Sequence, residues 1–180
     1  MDLNTTFPGD DIIPDAVMIY NQLRVVRAPR SEVYPWILQL GKGRGGWYLP
    51  ASWERFLPKT WWASRTIEDR WQHLKVGDRV DDYGFDAKED YFDVVTVDSP
   101  NALIYRSDRY GAKFTWSLLL HERTTESGPE TTIHLRFRGK IAARGLKRKL
   151  LVWGGEWMDW ASTTPMLAGL AERVERQKTK

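Results

Sequence analysis

The pattern of apolar and polar positions predicts strands and helices in a distinct order. Residues 17–26 mix β-branched and polar side chains and stop before Pro29, so they predict a first strand. Ser31 is a favourable N-cap for a helix over 31–40, in which apolar residues recur at helical spacing. A second short helix is predicted over 51–57. The first third of the chain therefore predicts one strand followed by two short helices.

From about residue 75 onward, apolar and polar residues alternate, which is typical of strands. Asp98-Ser99-Pro100-Asn101 and Ser127-Gly128-Pro129 contain the residues that tight turns require, so neighbouring strands are expected to pair antiparallel. The predicted strands cover 75–83, 91–97, 102–106, 114–122 and 131–140.

The last part of the chain predicts one long amphipathic helix over about 150–176, with Pro165 as a kink. Its apolar side chains recur at helical spacings, at Trp153, Trp157, Trp160, Leu167, Leu170 and Val174. Nothing in the pattern marks a second domain. Residues 17–180 therefore predict a single α+β domain, which an extension over 1–16 precedes.

Tryptophan is the compositional feature that changes this picture. The chain has ten tryptophans among 180 residues, although its apolar content of 42% and charged content of 28% are ordinary for a globular protein. Large aromatic side chains bury more area per residue than any others. We therefore expect the tryptophans to line an interior binding site as well as the core.

Composition also excludes several classes of chemistry. The chain has no cysteine, which removes disulfides, thiolate catalysis and cysteine-ligated metals. Its three histidines, His73, His121 and His134, stand at no metal-ligand spacing, so neither a metal nor another cofactor is expected. The sequence has no recognisable signal peptide and no apolar run of bilayer-spanning length. We expect a cytoplasmic protein without stable membrane insertion.

Charge is unevenly distributed along the chain, although the net charge is only +3. Residues 78–98 are acidic, whereas residues 136–149 carry seven basic side chains and no acid. We interpret this basic run as a solvated face that leads into the last helix; the alternative is contact with a membrane surface or with RNA. The tryptophans do not alternate with these charges, so nucleic acid is not expected as a partner.

Five segments spread over nearly the whole chain carry a family resemblance. They are Ala28-Pro29-Arg30-Ser31-Glu32-Val33-Tyr34-Pro35-Trp36, Gly43-Arg44-Gly45-Gly46-Trp47-Tyr48, Leu74-Lys75-Val76-Gly77-Asp78, Phe114-Thr115-Trp116-Ser117-Leu118 and Met166-Leu167-Ala168-Gly169-Leu170. In their order and spacing they resemble the START-like or SRPBCC superfamily, which includes Bet v 1-like and polyketide cyclase/dehydratase proteins. The resemblance implies the helix-grip fold, in which a curved antiparallel sheet wraps round a long C-terminal helix and leaves a ligand cavity.

In the helix-grip arrangement, aromatic residues from several segments meet round the cavity. Arg44, in the glycine-rich loop 41–46, is a candidate partner for an anionic group of a ligand at the cavity mouth; the alternative is a solvated loop arginine. The candidate aromatic ligand-binding residues are Trp47, Tyr48, Trp53, Trp116, Trp153, Trp157 and Trp160. For each of them the alternative is an ordinary core position. In the helix over 51–57, Trp53, Phe56 and Leu57 are expected to turn inward.

Catalysis depends on which face of the strand 131–140 points inward. If Ile133, Leu135 and Phe137 face the final helix, His134 and Arg136 are exposed to solvent. In the opposite register those two residues become the polar end of the cavity, where histidine can transfer protons and arginine can stabilise an enolate. The candidate catalytic residues are therefore His134, Arg136, Tyr105 and Glu156, while Asp159 is expected to be a solvated helix residue.

Two functions share these features. The first is a cofactor-independent cyclase, dehydratase or isomerase that acts on an aromatic or polyketide-like molecule, as in natural product biosynthesis. The second is a non-catalytic carrier of a lipid or another hydrophobic metabolite. An inward-facing acid/base pair would distinguish the enzyme from the carrier, because a carrier needs no proton relay. A third hypothesis is an interaction module that uses the basic run.

Overall fold

The computed structural model of the chain describes residues 6–83, 88–142 and 145–177, with side chains described from residue 160 onward in the last range. Its strands are β1 Met18–Val26, β2 Arg79–Asp81, β3 Tyr91–Asp98, β4 Ala102–Arg109, β5 Ala112–Thr125 and β6 Gly128–Ile141. They form one antiparallel sheet in the order β1-β6-β5-β4-β3-β2. Since the strands from β2 to β6 pair consecutively, the predicted meander is confirmed.

The helices complete the predicted order of elements. Helices α1 Arg30–Leu38 and α2 Ala51–Glu54 follow β1, and α3 Gly145–Gln177 follows the last strand. Short 3-10 turns cover Asp10–Ile12, Lys59–Trp61 and Asp69–Trp71. Two short helices after the first strand and a long helix after the sheet confirm the α+β class and the helix-grip arrangement.

The predicted strand over 75–83 is reduced to the three residues of β2. Its first half is a turn instead, in which the backbone N–H of Asp78 donates to the Lys75 carbonyl at 3.1 Å and the Asp78 carboxylate accepts from the Lys75 N–H at 2.8 Å. Gly77 completes this turn with a φ of 93°, a conformation that favours glycine. The polar turn outweighs the strand propensity of Val76.

One face of the sheet, the inner face, packs against α1 and the later half of α3. The strand register places Leu118 of β5 between Leu103 of β4 and Leu135 of β6, and all three side chains are fully buried. Helix α1 adds Trp36 and Ile37 to this core, and α3 adds Met166, Leu167, Leu170, Ala171 and Val174. We call this region the aliphatic half of the interior. The apolar set of β6 therefore faces the final helix, which answers the question of register.

The opposite, outer face of the sheet is covered by the segment that precedes β1. Asp10 accepts hydrogen bonds from Arg136 Nε and Nη2 at 2.6 and 2.9 Å. The Ile13 carbonyl accepts from Arg138 Nη2 at 2.9 Å. Gly9 lies so close to the sheet that a Cβ atom there would stand 2.7 Å from the Ser117 Oγ atom. Residues 6–16 therefore form a packed layer on the sheet.

A buried ion pair joins α3 to the segment that contains α2. Arg173 Nη2 lies 2.5 Å from Glu54 Oε1, and their side chains are 2% and 1% exposed. Arg173 also donates to the carbonyl oxygens of Leu49, Ser64 and Gly169 at 2.8 to 3.0 Å. At Gly169 a Cβ atom would stand 2.5 Å from the Leu49 carbonyl carbon, so glycine permits this close approach of helix and loop.

Candidate ligand-binding site

Beside the aliphatic half, the interior contains a continuous set of aromatic rings, which we call the aromatic cluster. Neighbouring rings in it have centroids 5.3 to 6.1 Å apart, within the range of favourable aromatic contact. Its members are Tyr20, Trp47, Phe92, Tyr105, Phe114, Trp116 and Phe137. Unlike the aliphatic half, the cluster includes rings that are only half-buried.

Strand alternation and register bring most of these rings together. Trp116 on β5 pairs with Tyr105 on β4 and with Phe137 on β6, so three aromatic residues stand side by side across the sheet. Phe114 lies two residues before Trp116 and so points to the same face. Gly139 leaves space for this packing, because a Cβ atom there would stand 2.8 Å from the Phe137 ring. The cluster is thus a direct product of side-chain alternation.

Two hydrogen-bond donors in the aromatic cluster have no partner among the described residues. They are the Tyr105 hydroxyl and the Trp116 indole Nε1, and both atoms are shielded from solvent. Tyr105 is fully buried. A buried donor that makes no hydrogen bond costs free energy, and most such groups in folded proteins are paired. The two donors therefore belong to cross-strand neighbours in an otherwise apolar wall.

The Tyr105 phenol is held in its protonated, donating form. Burial raises the pKa of Tyr105 well above its ordinary value; Tyr34 raises it further, whereas the Arg44 charge opposes the rise. A phenol with a raised pKa keeps its proton at neutral pH. Tyr105 can therefore offer an O–H group to a hydrogen-bond acceptor.

Arg44 turns back into the protein from the glycine-rich loop. Its Nη2 donates to the carbonyl oxygens of Leu38, at the end of α1, and of Trp71, at 2.9 and 2.8 Å. Its Nε is buried and has no partner among the described residues. The side chain is therefore not a solvated loop arginine. Its role towards a ligand stays a prediction.

An ionic network borders the aromatic cluster. Arg109 Nη2 lies 2.5 Å from Asp82 Oδ2, and Arg109 Nη1 lies 3.3 Å from Asp90 Oδ1. The Trp47 indole donates to Asp82 Oδ1 at 3.1 Å. The Arg109 guanidinium also lies 5.2 Å from the centroid of the Phe92 ring. These contacts hold Trp47 and Phe92 at the edge of the sheet.

Tyr48 is a core residue of this structure. It is fully buried, and its hydroxyl donates to the Trp36 carbonyl at 2.9 Å. Its ring makes an edge contact with Trp36 at 5.6 Å and lies 4.8 Å from the Arg173 guanidinium. The polar atom of Tyr48 is thus already engaged, which distinguishes it from that of Tyr105.

His134 and Arg136 lie on the outer face, opposite the aromatic cluster, as the register requires. The expectation that they would then be exposed to solvent is wrong: they are 0% and 7% exposed, because residues 6–16 cover them. His134 Nε2 contacts Asn21 Oδ1 at 2.8 Å, and the Phe7 ring packs edge-on against the imidazole at 4.8 Å. The interpretation of the basic run as a solvated face is wrong at Arg136 and Arg138 for the same reason.

The remaining candidates are scattered. The inward orientation predicted for Trp53 and Phe56 is wrong, because their side chains are 56% and 77% exposed while Glu54 between them is buried by its ion pair. Trp160 on α3 is also exposed, at 59%. Four candidates have side chains outside the described residues: Trp153, Glu156, Trp157 and Asp159.

Sequence reasoning missed four members of the aromatic cluster as ligand-binding candidates. They are Tyr20, Phe92, Phe114 and Phe137. The signal for Phe114 and Phe137 was present, since each is two residues from an apolar neighbour on the inner face. Among the residues that the structure describes, no group of three or more histidine or acidic side chains could hold a metal ion.

Comparison with solved structures tests the fold. The chain superimposes on a protein of unknown function from Staphylococcus aureus with a TM-score of 0.53 and 11% identity, over 91% of this chain and 96% of the other. A protein from Arthrobacter aurescens, solved by NMR, superimposes with a TM-score of 0.50 and 11% identity, over 89% of this chain and 87% of the other. The chain has the helix-grip fold. The helix-grip order, sheet register and C-terminal helix agree with this assignment.

Other comparisons give no functional label. A Polyketide_cyc-like protein from Corynebacterium glutamicum is similar at a TM-score of 0.42 and 11% identity, over 89% of this chain and 91% of the other, too weak to add to the fold argument. A scan against protein-family models found no match. A search of curated proteins also found none. In the part of the chain that the structure describes, no helix has the length and hydropathy of a membrane span.

Proposed function

We propose that the protein binds a hydrophobic small molecule against the aromatic cluster and that the ligand carries a hydrogen-bond acceptor. The observation that carries the proposal is the pair of unpartnered donors, Tyr105 Oη and Trp116 Nε1. A carbonyl oxygen or a similar acceptor on the ligand would satisfy such a donor. The rest of the ligand would stack against rings of the cluster.

Several features support an apolar rather than a charged ligand. The cluster itself is made of seven aromatic residues, the Arg109 charge is already paired with Asp82 and Asp90, and Arg44 Nη2 already donates to two carbonyl groups. A neutral acceptor needs only the two neutral donors that the cluster offers. Burial of aromatic surface would supply most of the affinity, and the hydrogen bonds would set the orientation.

A carrier is the first candidate for the function of this site. Of the catalytic candidates whose side chains the structure describes, Tyr105 alone lies on the inner face. Its hydroxyl contacts no described carboxylate or imidazole, so the site offers a proton donor without a matched base. A carrier of a lipid or other hydrophobic metabolite needs no such pair.

An enzyme is the second candidate, and it rests on the unpartnered Tyr105 hydroxyl in the cluster. A buried phenol that keeps its proton can donate a hydrogen bond to an enolate oxygen and stabilise it, which is chemistry that cyclases, dehydratases and isomerases of polyketide-like molecules use. Glu156, outside the described side chains, is the candidate from the sequence for the missing base. Such an enzyme would return its ligand chemically changed, whereas a carrier would return it intact.

The test compares two compounds with the same skeleton, fluorenone and fluorene, of which only fluorenone has a carbonyl acceptor. Binding would be followed by tryptophan fluorescence quenching, because Trp116 and Trp47 lie in the cluster. We expect fluorenone to bind about tenfold more tightly than fluorene, the effect of roughly one buried hydrogen bond. Tyr105→Phe should remove most of that preference.

Tyr48→Phe is the matched control, since it deletes a tyrosine hydroxyl that already donates to a carbonyl. It should leave the preference for fluorenone unchanged. The proposal is wrong if neither compound quenches the fluorescence, or if Tyr105→Phe keeps the full preference. Native mass spectrometry of mixtures with each compound would check that binding has one-to-one stoichiometry.

A further inference from the structure

In the surface segment 50–62, an acidic side chain is buried while large apolar side chains are exposed to water. The one buried residue of α2 is the acidic Glu54. Four large aromatic side chains in the same segment are exposed: Trp53 at 56%, Phe56 at 77%, Trp61 at 63% and Trp62 at 41%. Soluble proteins seldom place several large rings together on their surface unless the surface binds something.

Hydrogen bonds and an ion pair fix the segment that carries the exposed rings to the rest of the protein. Glu54 pairs with Arg173, and its Oε1 also accepts from the Ala63 N–H at 3.3 Å. The Ala51 N–H donates to Glu172 of α3 at 3.0 Å, so both ends of the segment are tied to the body of the protein. The Trp62 indole donates to the Leu57 carbonyl at 3.0 Å. The rings are therefore exposed by a defined conformation.

Successive short turns keep the backbone that carries the four rings compact. The Phe56 N–H donates to the Trp53 carbonyl, and the Trp61 N–H donates to the Pro58 carbonyl, at 3.0 and 2.9 Å. Ten residues folded into such turns span much less than an extended chain would. The exposed aromatic area is on the order of 500 Å², given the usual size of these side chains.

Charge in the segment has a single sign at the surface. Its exposed ionisable side chains are Arg55 and Lys59, since Glu54 is buried in its ion pair. Arg55 lies over the Phe56 ring, 4.7 Å from its centroid. Aromatic rings beside basic groups, with no exposed acid, are the combination that binds at the interface of an anionic bilayer.

We propose that the segment 50–62 docks the protein on an anionic membrane surface, with the four rings inserted among the headgroups and with Arg55 and Lys59 beside the lipid phosphates. A stable protein partner requires about 800 Å² on each side, more than these rings provide. Interfacial anchoring requires only a few rings and electrostatic attraction. This surface lies apart from the aromatic cluster, and its role does not depend on what the cluster binds.

The test is co-sedimentation with vesicles of phosphatidylcholine alone and of phosphatidylcholine mixed with phosphatidylglycerol. We expect the wild type to bind the mixed vesicles more strongly and to lose this preference at high salt. The double variant Trp53→Ser/Phe56→Ser should lower the partition coefficient about tenfold or more. Arg55→Gln/Lys59→Gln should remove the preference for the anionic lipid while retaining weak binding to both vesicles.

The matched control is Leu23→Ser/Val25→Ser, which removes two exposed apolar side chains from the outer face of β1, on the other side of the sheet. It should bind like the wild type. The proposal fails if wild-type protein does not bind mixed vesicles, if the serine variant binds equally well, or if the segment instead mediates a dimer that this variant dissociates. Quenching of wild-type tryptophan fluorescence by brominated lipid gives a second readout that needs no variant.

Discussion

Arg136 holds both carboxylate oxygens of Asp10 in a two-point ion pair, with Nε 2.6 Å from Oδ1 and Nη2 2.9 Å from Oδ2, although 126 residues separate them along the chain. Both side chains are almost completely shielded from water, at 8% and 9% exposure. The segment before β1 is thereby fixed on the outer face of the sheet, where it also covers His134. This layer makes the part of the outer face around Arg136 and His134 part of the core.

Asp10→Ala is expected to destabilise the protein by about 3 kcal/mol, because it leaves the Arg136 guanidinium buried without its counter-charge. Urea unfolding followed by circular dichroism would measure this loss. Asp11→Ala is the matched control, since Asp11 is its exposed neighbour and should change the unfolding midpoint little. Equal midpoints for the two variants would mean that the ion pair between Asp10 and Arg136 does not stabilise the protein.

His134 should make the stability of the protein depend on pH. Burial, together with the charges of His121 and Arg136, lowers the pKa of His134 from its ordinary 6.5 to about 4, and Asp10 only partly opposes this. The unfolded chain therefore binds a proton at a higher pH than the folded chain does. The contribution of the neutral, buried His134 to the free energy of unfolding is fully present above about pH 6.5. It falls by about 2 to 3 kcal/mol as the pH drops towards 4.

Urea unfolding at several pH values between 4 and 7 would measure this loss of stability. His134→Gln should flatten the dependence, because glutamine has no proton to gain. His73→Gln, which removes an exposed histidine, should keep the wild-type slope. A wild-type slope in the His134 variant would contradict the assignment. Below pH 4 a second loss is expected, because the bonds from Arg136 and Phe7 outweigh burial and lower the pKa of Asp10.

Deleting the hydroxyl groups of Tyr105 and Tyr48 should have different effects on the stability of the ligand-free protein. Tyr105→Phe removes a buried donor without a described partner and should leave stability unchanged or raise it by about 1 kcal/mol. Tyr48→Phe removes a made hydrogen bond to Trp36 and should cost about 1 kcal/mol. Thermal unfolding of both variants measures the difference. A loss for Tyr105→Phe would mean that its hydroxyl is already engaged.

Much of the fold followed from local patterns. Alternation put Trp116 and Leu118 on one face of β5, and it put His134 and Arg136 on the face of β6 opposite Ile133 and Leu135, because the side-chain period of a strand is fixed at two, although only the register showed which face of β6 points inward. Turn residues marked the strand ends, and the period of the final segment marked a helix. These signals depend on neighbours in sequence, and for that reason they can be read from the chain alone.

The errors arose where distant contacts decide the structure. Nothing near Asp10 indicates that it will meet Arg136, so the outer face was expected to be solvated. In α2 only four residues are helical, too few for a period to define a face, and the Glu54 pair with Arg173 turned Trp53 outward. The two unpartnered donors of the candidate site could not be foreseen, since an absent bond has no sequence signal.

The division of the interior into an aliphatic half and an aromatic half has an evolutionary consequence. Helix α1 and the later part of α3 close on Leu118 and Leu135, and this fully buried packing contributes more to maintaining the fold than the half-buried rings do. Substitutions among the rings at the other end, such as at Phe114 or Phe137, should therefore disturb the fold less. Descendants of this chain can drift towards new ligands while their architecture remains under unchanged selection.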